Sequence, residues 1–110
     1  MDRKKDDRYY AGRIQKDLEF ILQHTENVNY EEFAENEILR DAMCFRLIQI
    51  SENAGRLQDT YKKNHPLIPW TDITGLRNRI VHNYGNVDFH IVYETLTRDI
   101  PVLNTLLKTE

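Results

Sequence analysis

The sequence predicts an all-α protein, an antiparallel bundle of four to five helices, and three observations carry that prediction. Apolar residues recur three and four apart along most of the chain, no stretch alternates apolar with polar, and proline and glycine gather at a few breaks. A length of 110 residues is one domain's worth, read as a single domain over 1–110. Repeats and low-complexity tracts are absent, and the longest connection is about ten residues, which suits antiparallel helices.

Helix one runs from Asp6 to about Glu26, with Tyr10, Ile14, Leu18, Ile21 and Leu22 at helical spacings. The segment 27–36 is polar and acidic and reads as a connection. Asn36 caps helix two, whose first turn carries Glu37 where the helix dipole favours it. This helix is long: Leu39, Met43, Ile50, Leu57 and Tyr61 make one apolar line, and Ile38, Ala42, Phe45 and Ile48 make a second beside it. Burial of its middle on two sides follows, as in a central helix or a subunit interface. Pro66 and Pro69 bracket a break, so helix three starts near Trp70 and ends at Tyr84, where Gly85 can take the left-handed conformation. Asp88 caps helix four, with Phe89, Val92, Leu96 and Ile100 inward; Pro101 then kinks it or begins a short fifth helix carrying Leu103, Leu106 and Leu107.

With 40% hydrophobic and 30% charged residues, the chain is globular rather than disordered. Met1–Arg8 has no apolar core for a signal peptide and no apolar run approaches membrane-spanning length, so a cytoplasmic protein without a membrane partner is expected. Cys44 cannot form an internal disulfide and reads as a small buried residue. A net charge of -3 argues against a protein that coats nucleic acid by bulk electrostatics, so any RNA binding must be local. Between Asp17 and Glu37 stand Glu19, Glu26, Glu31, Glu32 and Glu35 with no lysine or arginine. That acidic stretch reads as a solvated face that repels RNA, or as an edge that docks a basic protein.

The stretch Arg77-Asn78-Arg79-Ile80-Val81-His82-Asn83-Tyr84 carries the chemistry. A guanidinium holds a phosphate through a fixed fork of donors and an imidazole moves protons near neutral pH, the two groups that metal-free RNA transesterification needs. At about 100° per residue, Ile73, Leu76, Ile80 and Tyr84 form the core stripe, while Gly75, Asn78 and His82 face outward. A mid-helix glycine costs about 1 kcal/mol, so Gly75 hints at a close approach by the substrate or by the same helix of a second subunit. Arg77 and His82 lie about 140° apart and about 7.5 Å along the axis, so they do not share a face. A symmetric dimer would gather both residues from both chains into one cleft. His24, His65 and His90 show no metal-ligand spacing with His82 or one another, so no metal or cofactor is predicted. The chain also lacks a glycine-rich phosphate loop, a nucleophile elbow and paired carboxylates, which argues against phosphotransfer from a nucleotide.

The segment Ile68–Tyr84 resembles the Arg-x4-His-x-Tyr region of HepT-like HEPN ribonuclease toxins. Arg46–Ala54 resembles the family's second helix, with Ser51 where many members have glycine, and Val87-Asp88 and Asp99-Ile100-Pro101 fit as well, so the similarity covers nearly the whole chain. The resemblance implies a HEPN-type bundle acting as a homodimeric, metal-independent endoribonuclease on tRNA or mRNA, the toxin of a prokaryotic toxin-antitoxin pair. It implies Arg77 and His82 as catalytic residues; beside them Asn78 would orient His82 or contact the substrate, and Arg79 either adds positive charge for RNA or is a solvated or salt-bridged arginine. It also implies Tyr84 as the residue that a cognate minimal nucleotidyltransferase antitoxin modifies with AMP. His82 in the last helical turn would be favoured as the imidazolium. Arg46 and Glu52 either orient the motif or form an internal ion pair. A reading from another class is a catalytically silent HEPN interaction module that binds a nucleotidyltransferase or a nucleotide, and a third is a structural bundle with no site.

Overall fold

The structure, a computed structural model, describes residues 5–81 and 87–108, and among them no strand is formed. Helix α1 spans Asp7–Thr25, and the Asp6 carboxylate accepts the Tyr9 N–H at 3.1 Å as its N-cap. Ile14, Leu18 and Ile21 are buried on the face the periodicity assigned to the core. The expected connection at 27–36 contains a short helix, α2, over Tyr30–Glu35. Asn29 and Glu32 close a capping box: the Glu32 N–H donates to Asn29 Oδ1 at 2.8 Å, and the Asn29 N–H donates to Glu32 Oε1 at 3.0 Å. One buried side chain, Phe33, holds α2 to the bundle through edge contacts with Phe89 and Tyr93. One buried side chain on six residues, helped by Tyr30 stacked on His90, offers no periodicity to read, which is why composition alone misplaces this segment.

Helix α3, Glu37–Gly55, is the central element. Asn36 caps it by accepting the Leu39 N–H at 3.0 Å, and Met43, Leu47, Ile50 and Ala54 are fully enclosed between α1 and the later helices. Two expectations are corrected here. The helix stops at Gly55, so Leu57 lies in the turn beyond it and Tyr61 belongs to a separate helix, α4, Asp59–Lys63. The second apolar line is not enclosed within the protomer either: Ile38 is 83% and Phe45 56% exposed, while Ala42 and Ile48 only brush the core.

The proline-bracketed loop is closed by Trp70 Nε1, which donates to the His65 carbonyl at 3.1 Å. Helix α5, Trp70–Thr74, and helix α6, Leu76–Val81, replace the single helix expected from Trp70 to Tyr84. Its expected end at Tyr84 and Gly85 lies outside the described residues. Asp88 caps α7, Phe89–Glu94, accepting the N–H groups of His90 and Ile91. A π-helical turn at Thr95–Asp99 then leads into α8, Ile100–Lys108, so Pro101 falls in the first turn of α8, as one of the two expectations had it. Proline has no N–H to complete a ladder and its ring crowds the preceding turn; the wider turn, in which the Ile100 N–H reaches the Thr95 carbonyl, absorbs both. Val92, Leu96, Ile100 and Leu103 line the inner side. The result is the expected all-helical bundle, cut into shorter segments at these turns. Among the described residues no helix is long and apolar enough to cross a membrane.

Candidate active site

The motif helix breaks one residue before the motif's core stripe resumes at Leu76. Gly75 closes α5 by donating to the Thr71 carbonyl at 3.0 Å, and a Cβ at Gly75 would stand only 3.3 Å from that same oxygen. That contact is with its own preceding turn, not with a substrate or a second subunit. In an unbroken α-helix the Arg77 N–H would bond the carbonyl of Ile73. Here it donates instead to Ser51 Oγ on α3 at 3.2 Å, and the Ser51 hydroxyl donates to the Thr74 carbonyl at 3.0 Å. Ser51 is 3% exposed, so a single buried hydroxyl satisfies two backbone groups that the break would otherwise leave bare.

The next residue on α3 takes hold of the motif side chain. Glu52 Oε1 lies 3.2 Å from Arg77 Nε, and both groups are about half exposed, 41% and 51%. A pair this open to water adds little stability, about 1 kcal/mol at most. What it does is position: Glu52 holds the Nε edge of the guanidinium, and among the described residues the terminal nitrogens of Arg77 have no bonded protein partner. The core stripe of the motif is as read, with Ile73, Leu76 and Ile80 buried.

Other predicted site residues are dispersed. Asn78 is exposed on α6. Arg79 turns back over α5, its Nη2 donating to the Asp72 carbonyl at 3.2 Å, and it borders an apolar groove of about 280 Å³ between α5, α3 and α8. It does not join Arg77. Arg46 points the other way, to α1: its Nη1 donates to Asp17 at 2.9 Å and its guanidinium lies 3.8 Å from the centroid of the Phe20 ring. Glu52 therefore orients the motif, whereas Arg46 forms an internal ion pair. Asp17, grouped by sequence with the solvated carboxylates, is 6% exposed. Its place between Ile14 and Ile21 on the core stripe was the signal that it needed a buried partner. His82 and Tyr84 lie outside the described residues.

One face of α3 leads to this site. By ideal helix geometry Ile38, Ala42, Phe45, Gln49 and Glu52 fall within an arc of about 80°, so the uncovered apolar line ends at the carboxylate that holds Arg77.

An all-helical bundle that presents an arginine at the break of its motif helix, with His82 and Tyr84 following in sequence, defines the HEPN-type class of helical domain. More narrowly, the chain belongs to the ribonuclease HepT-like family, whose model matches residues 14–110. It is similar to a protein named "Putative RNase" in Caldanaerobacter subterraneus subsp. tengcongensis, 29% identical over 94% of this chain and 93% of that relative. A second "Putative RNase", in Methanocaldococcus jannaschii, is 30% identical over 89% of this chain and 81% of the relative. A "Probable ribonuclease HepT" in Thermococcus cleftensis is 28% identical over 91% of both. No solved structure matches the chain.

Proposed function

We propose that this chain is a homodimeric, metal-independent endoribonuclease, the toxin of a prokaryotic toxin-antitoxin pair, and that Arg77 and His82 carry its reaction. The observation that supports this best is the positioned, half-exposed guanidinium of Arg77, anchored through its backbone by Ser51 and through Nε by Glu52. Its terminal nitrogens, which have no bonded partner among the described residues, suit a phosphate fork.

In the proposed reaction the 2′-hydroxyl of RNA attacks the adjacent phosphorus and gives up its proton. The bond from phosphorus to the 5′-oxygen breaks, and that oxygen takes a proton as it leaves. The products are a 2′,3′-cyclic phosphate and a 5′-hydroxyl. His82 is the group that moves protons, and Arg77 binds the phosphate and stabilises the charge that builds on it. Asn78 contacts the substrate or orients His82. Because Arg77 and His82 stand about 140° apart on one ideal helix, a second copy supplies the missing half of each site. The uncovered line of Ile38 and Phe45, which ends at Glu52, supports that face as its seat.

Inactivation follows from the same chemistry. An AMP group placed on Tyr84 by a nucleotidyltransferase antitoxin adds a bulky anion two residues from His82, where it blocks and repels a phosphate. Intact-mass analysis with partner and ATP checks this: the added AMP should vanish in Tyr84→Phe, and its persistence moves the modification elsewhere.

Cleavage of tRNA and a model mRNA in EDTA by wild type, Arg77→Ala and His82→Ala, with 2′-deoxy substitution at the mapped cut, tests the reaction. Cutting that survives EDTA and requires both side chains and the 2′-hydroxyl is expected. A dimeric, unmodified wild type that cuts nothing would instead make the chain a silent module that binds a nucleotidyltransferase.

A further inference from the structure

The first half of α1 carries a charged feature that the proposed reaction leaves unused. Arg8, Arg13 and Lys16 of α1, with Arg46 of α3, surround a hollow of about 400 Å³. Gly12 faces it with room to spare, since a Cβ there would meet nothing within 4 Å, and Tyr9 stands at its edge, 37% exposed. The one carboxylate in the lining, Asp17, is buried and already bound to Arg46 at 2.9 Å.

The nearby acids make their bonds elsewhere. Asp6 is occupied by the Tyr9 N–H at 3.1 Å, and Asp7 accepts the Gln58 N–H at 2.9 Å. Among the described residues Arg8, Arg13 and Lys16 have no carboxylate partner, although the whole chain carries a net charge of -3. Arg13 and Lys16 are one helical turn apart and repel each other, so folding gains nothing from placing them together. Their arrangement suits an anion. The ring of Tyr9 adds a second element: packed edge-on against Tyr10, it carries the Arg13 guanidinium over it at 5.8 Å and Lys5 Nζ at 5.6 Å from its centroid, and Arg13 Nη1 donates to its hydroxyl at 3.4 Å, so a partly exposed ring and two cations form one group that a base would join by displacing a cation. Unpaired cations beside an exposed ring are what a single strand of nucleic acid needs, phosphates on the cations and a base on the ring. An acidic peptide would use the charges and leave the ring idle.

We infer that this hollow is a second RNA-binding site, which holds backbone phosphates of a single strand beside the cut while Tyr9 stacks one of its bases. It is distinct from the Arg77 site, because Arg46 lies about 120° around α3 from Glu52 and about 9 Å along it. The identity of the strand as RNA rests on the ribonuclease reading above.

The test is fluorescence anisotropy with a labelled single-stranded 2′-O-methyl RNA, which the 2′-hydroxyl chemistry cannot cut. Gly12→Glu, for which there is room, should weaken binding about tenfold, Tyr9→Ala should do about the same, and Gly12→Ala should bind like wild type. Arg8→Glu with Lys16→Glu should also lower the slope of log affinity against log salt by about two. Unchanged binding in both charge variants overturns the site. Displacement by free inorganic phosphate or AMP as effective as by the strand makes it a small-anion site and overturns the strand. Equal competition by poly-glutamate, with Tyr9→Ala silent, makes it a protein surface and also overturns it. Cleavage assayed in parallel separates the two proposals: cutting unaffected by variants that bind normally removes the hollow and keeps the nuclease. Weakened binding by the variants of a wild type that cuts nothing keeps the hollow and removes the nuclease.

Discussion

At the scale of single residues, Ser51 matters more than its size suggests. Replacing it with alanine would leave the Thr74 carbonyl and the Arg77 N–H, both at the break between α5 and α6, without their partner on α3. We expect Ser51→Ala to lower the unfolding free energy by about 1–3 kcal/mol in urea titration, the cost of buried unpaired groups. Ser51→Thr, which keeps the hydroxyl, should recover most of it; equal losses in both would show that packing and not hydrogen bonding is at stake. Ser51 stands out in the sequence only as a departure from the glycine of the resembled family; its role stays hidden there because it depends on a helix break twenty-odd residues later. Arg77 stands out as a candidate in the sequence, since its chemistry and surroundings sit in one contiguous motif. Glu52 was half legible: its charge was visible, and only the register of α3 against α6 chose Arg77 over an alternative partner.

Cys44 gives a second prediction at this scale. Burial, reinforced by the Asp41 carboxylate and partly offset by Arg40, pushes its thiol from 9.0 up to about 11. The folded chain then keeps a proton that the unfolded chain releases. The contribution is fully present below the ordinary thiol value of 9.0 and is lost as pH rises towards about 11. Urea midpoints of wild type should therefore fall more steeply over that window than those of Cys44→Ala, and parallel curves would refute the assignment. Alkylation of the folded protein should be slow at neutral pH, because the thiolate is the reactive form.

At the scale of elements, periodicity found what packing needs and missed what single anchors hold. Helices α1 and α3 show several turns of apolar spacing, and their caps, Asp6 and Asn36, stand where a cap belongs. Helix α2 depends on Phe33 and on the Asn29–Glu32 box, and the acidic run around them hides both. Asn29→Ala should cost about 1 kcal/mol. Its effect should be local: hydrogen exchange should quicken over Tyr30–Glu35 while the interior of α3 stays protected. Uniform loss across the bundle would mean that α2 folds as one unit with α3. The Tyr93 hydroxyl, donating to the Val28 carbonyl at 2.7 Å, is the tie that keeps α2 seated on α7, so Tyr93→Phe should quicken the same amides. The break at Gly75 was visible only as an odd residue in a helical pattern; that it interrupts the ladder follows from Ser51, which lies on a different element.

At the scale of the whole molecule, the uncovered face of α3 is the feature a lone protomer does not explain. An Ile38 exposed to 83% and a Phe45 exposed to 56% lie on the same strip as Glu52, and burying such side chains is worth about 1.5–3 kcal/mol each. A two-fold partner on that strip would bury these residues twice over and bring the two Arg77 residues towards one cleft. Phe45→Glu would then place two carboxylates against each other across the axis. On the dimer proposed above, it should leave a monomer where wild type sediments as a pair and remove RNA cleavage, while the circular dichroism of the helices stays unchanged. If cleavage falls with dilution of wild type along the same curve as dimer dissociation, the active unit is the pair. A Phe45→Glu protein that remains dimeric would put the interface on another face, and a wild type that cuts as a monomer would make Arg77 and His82 sufficient within one chain.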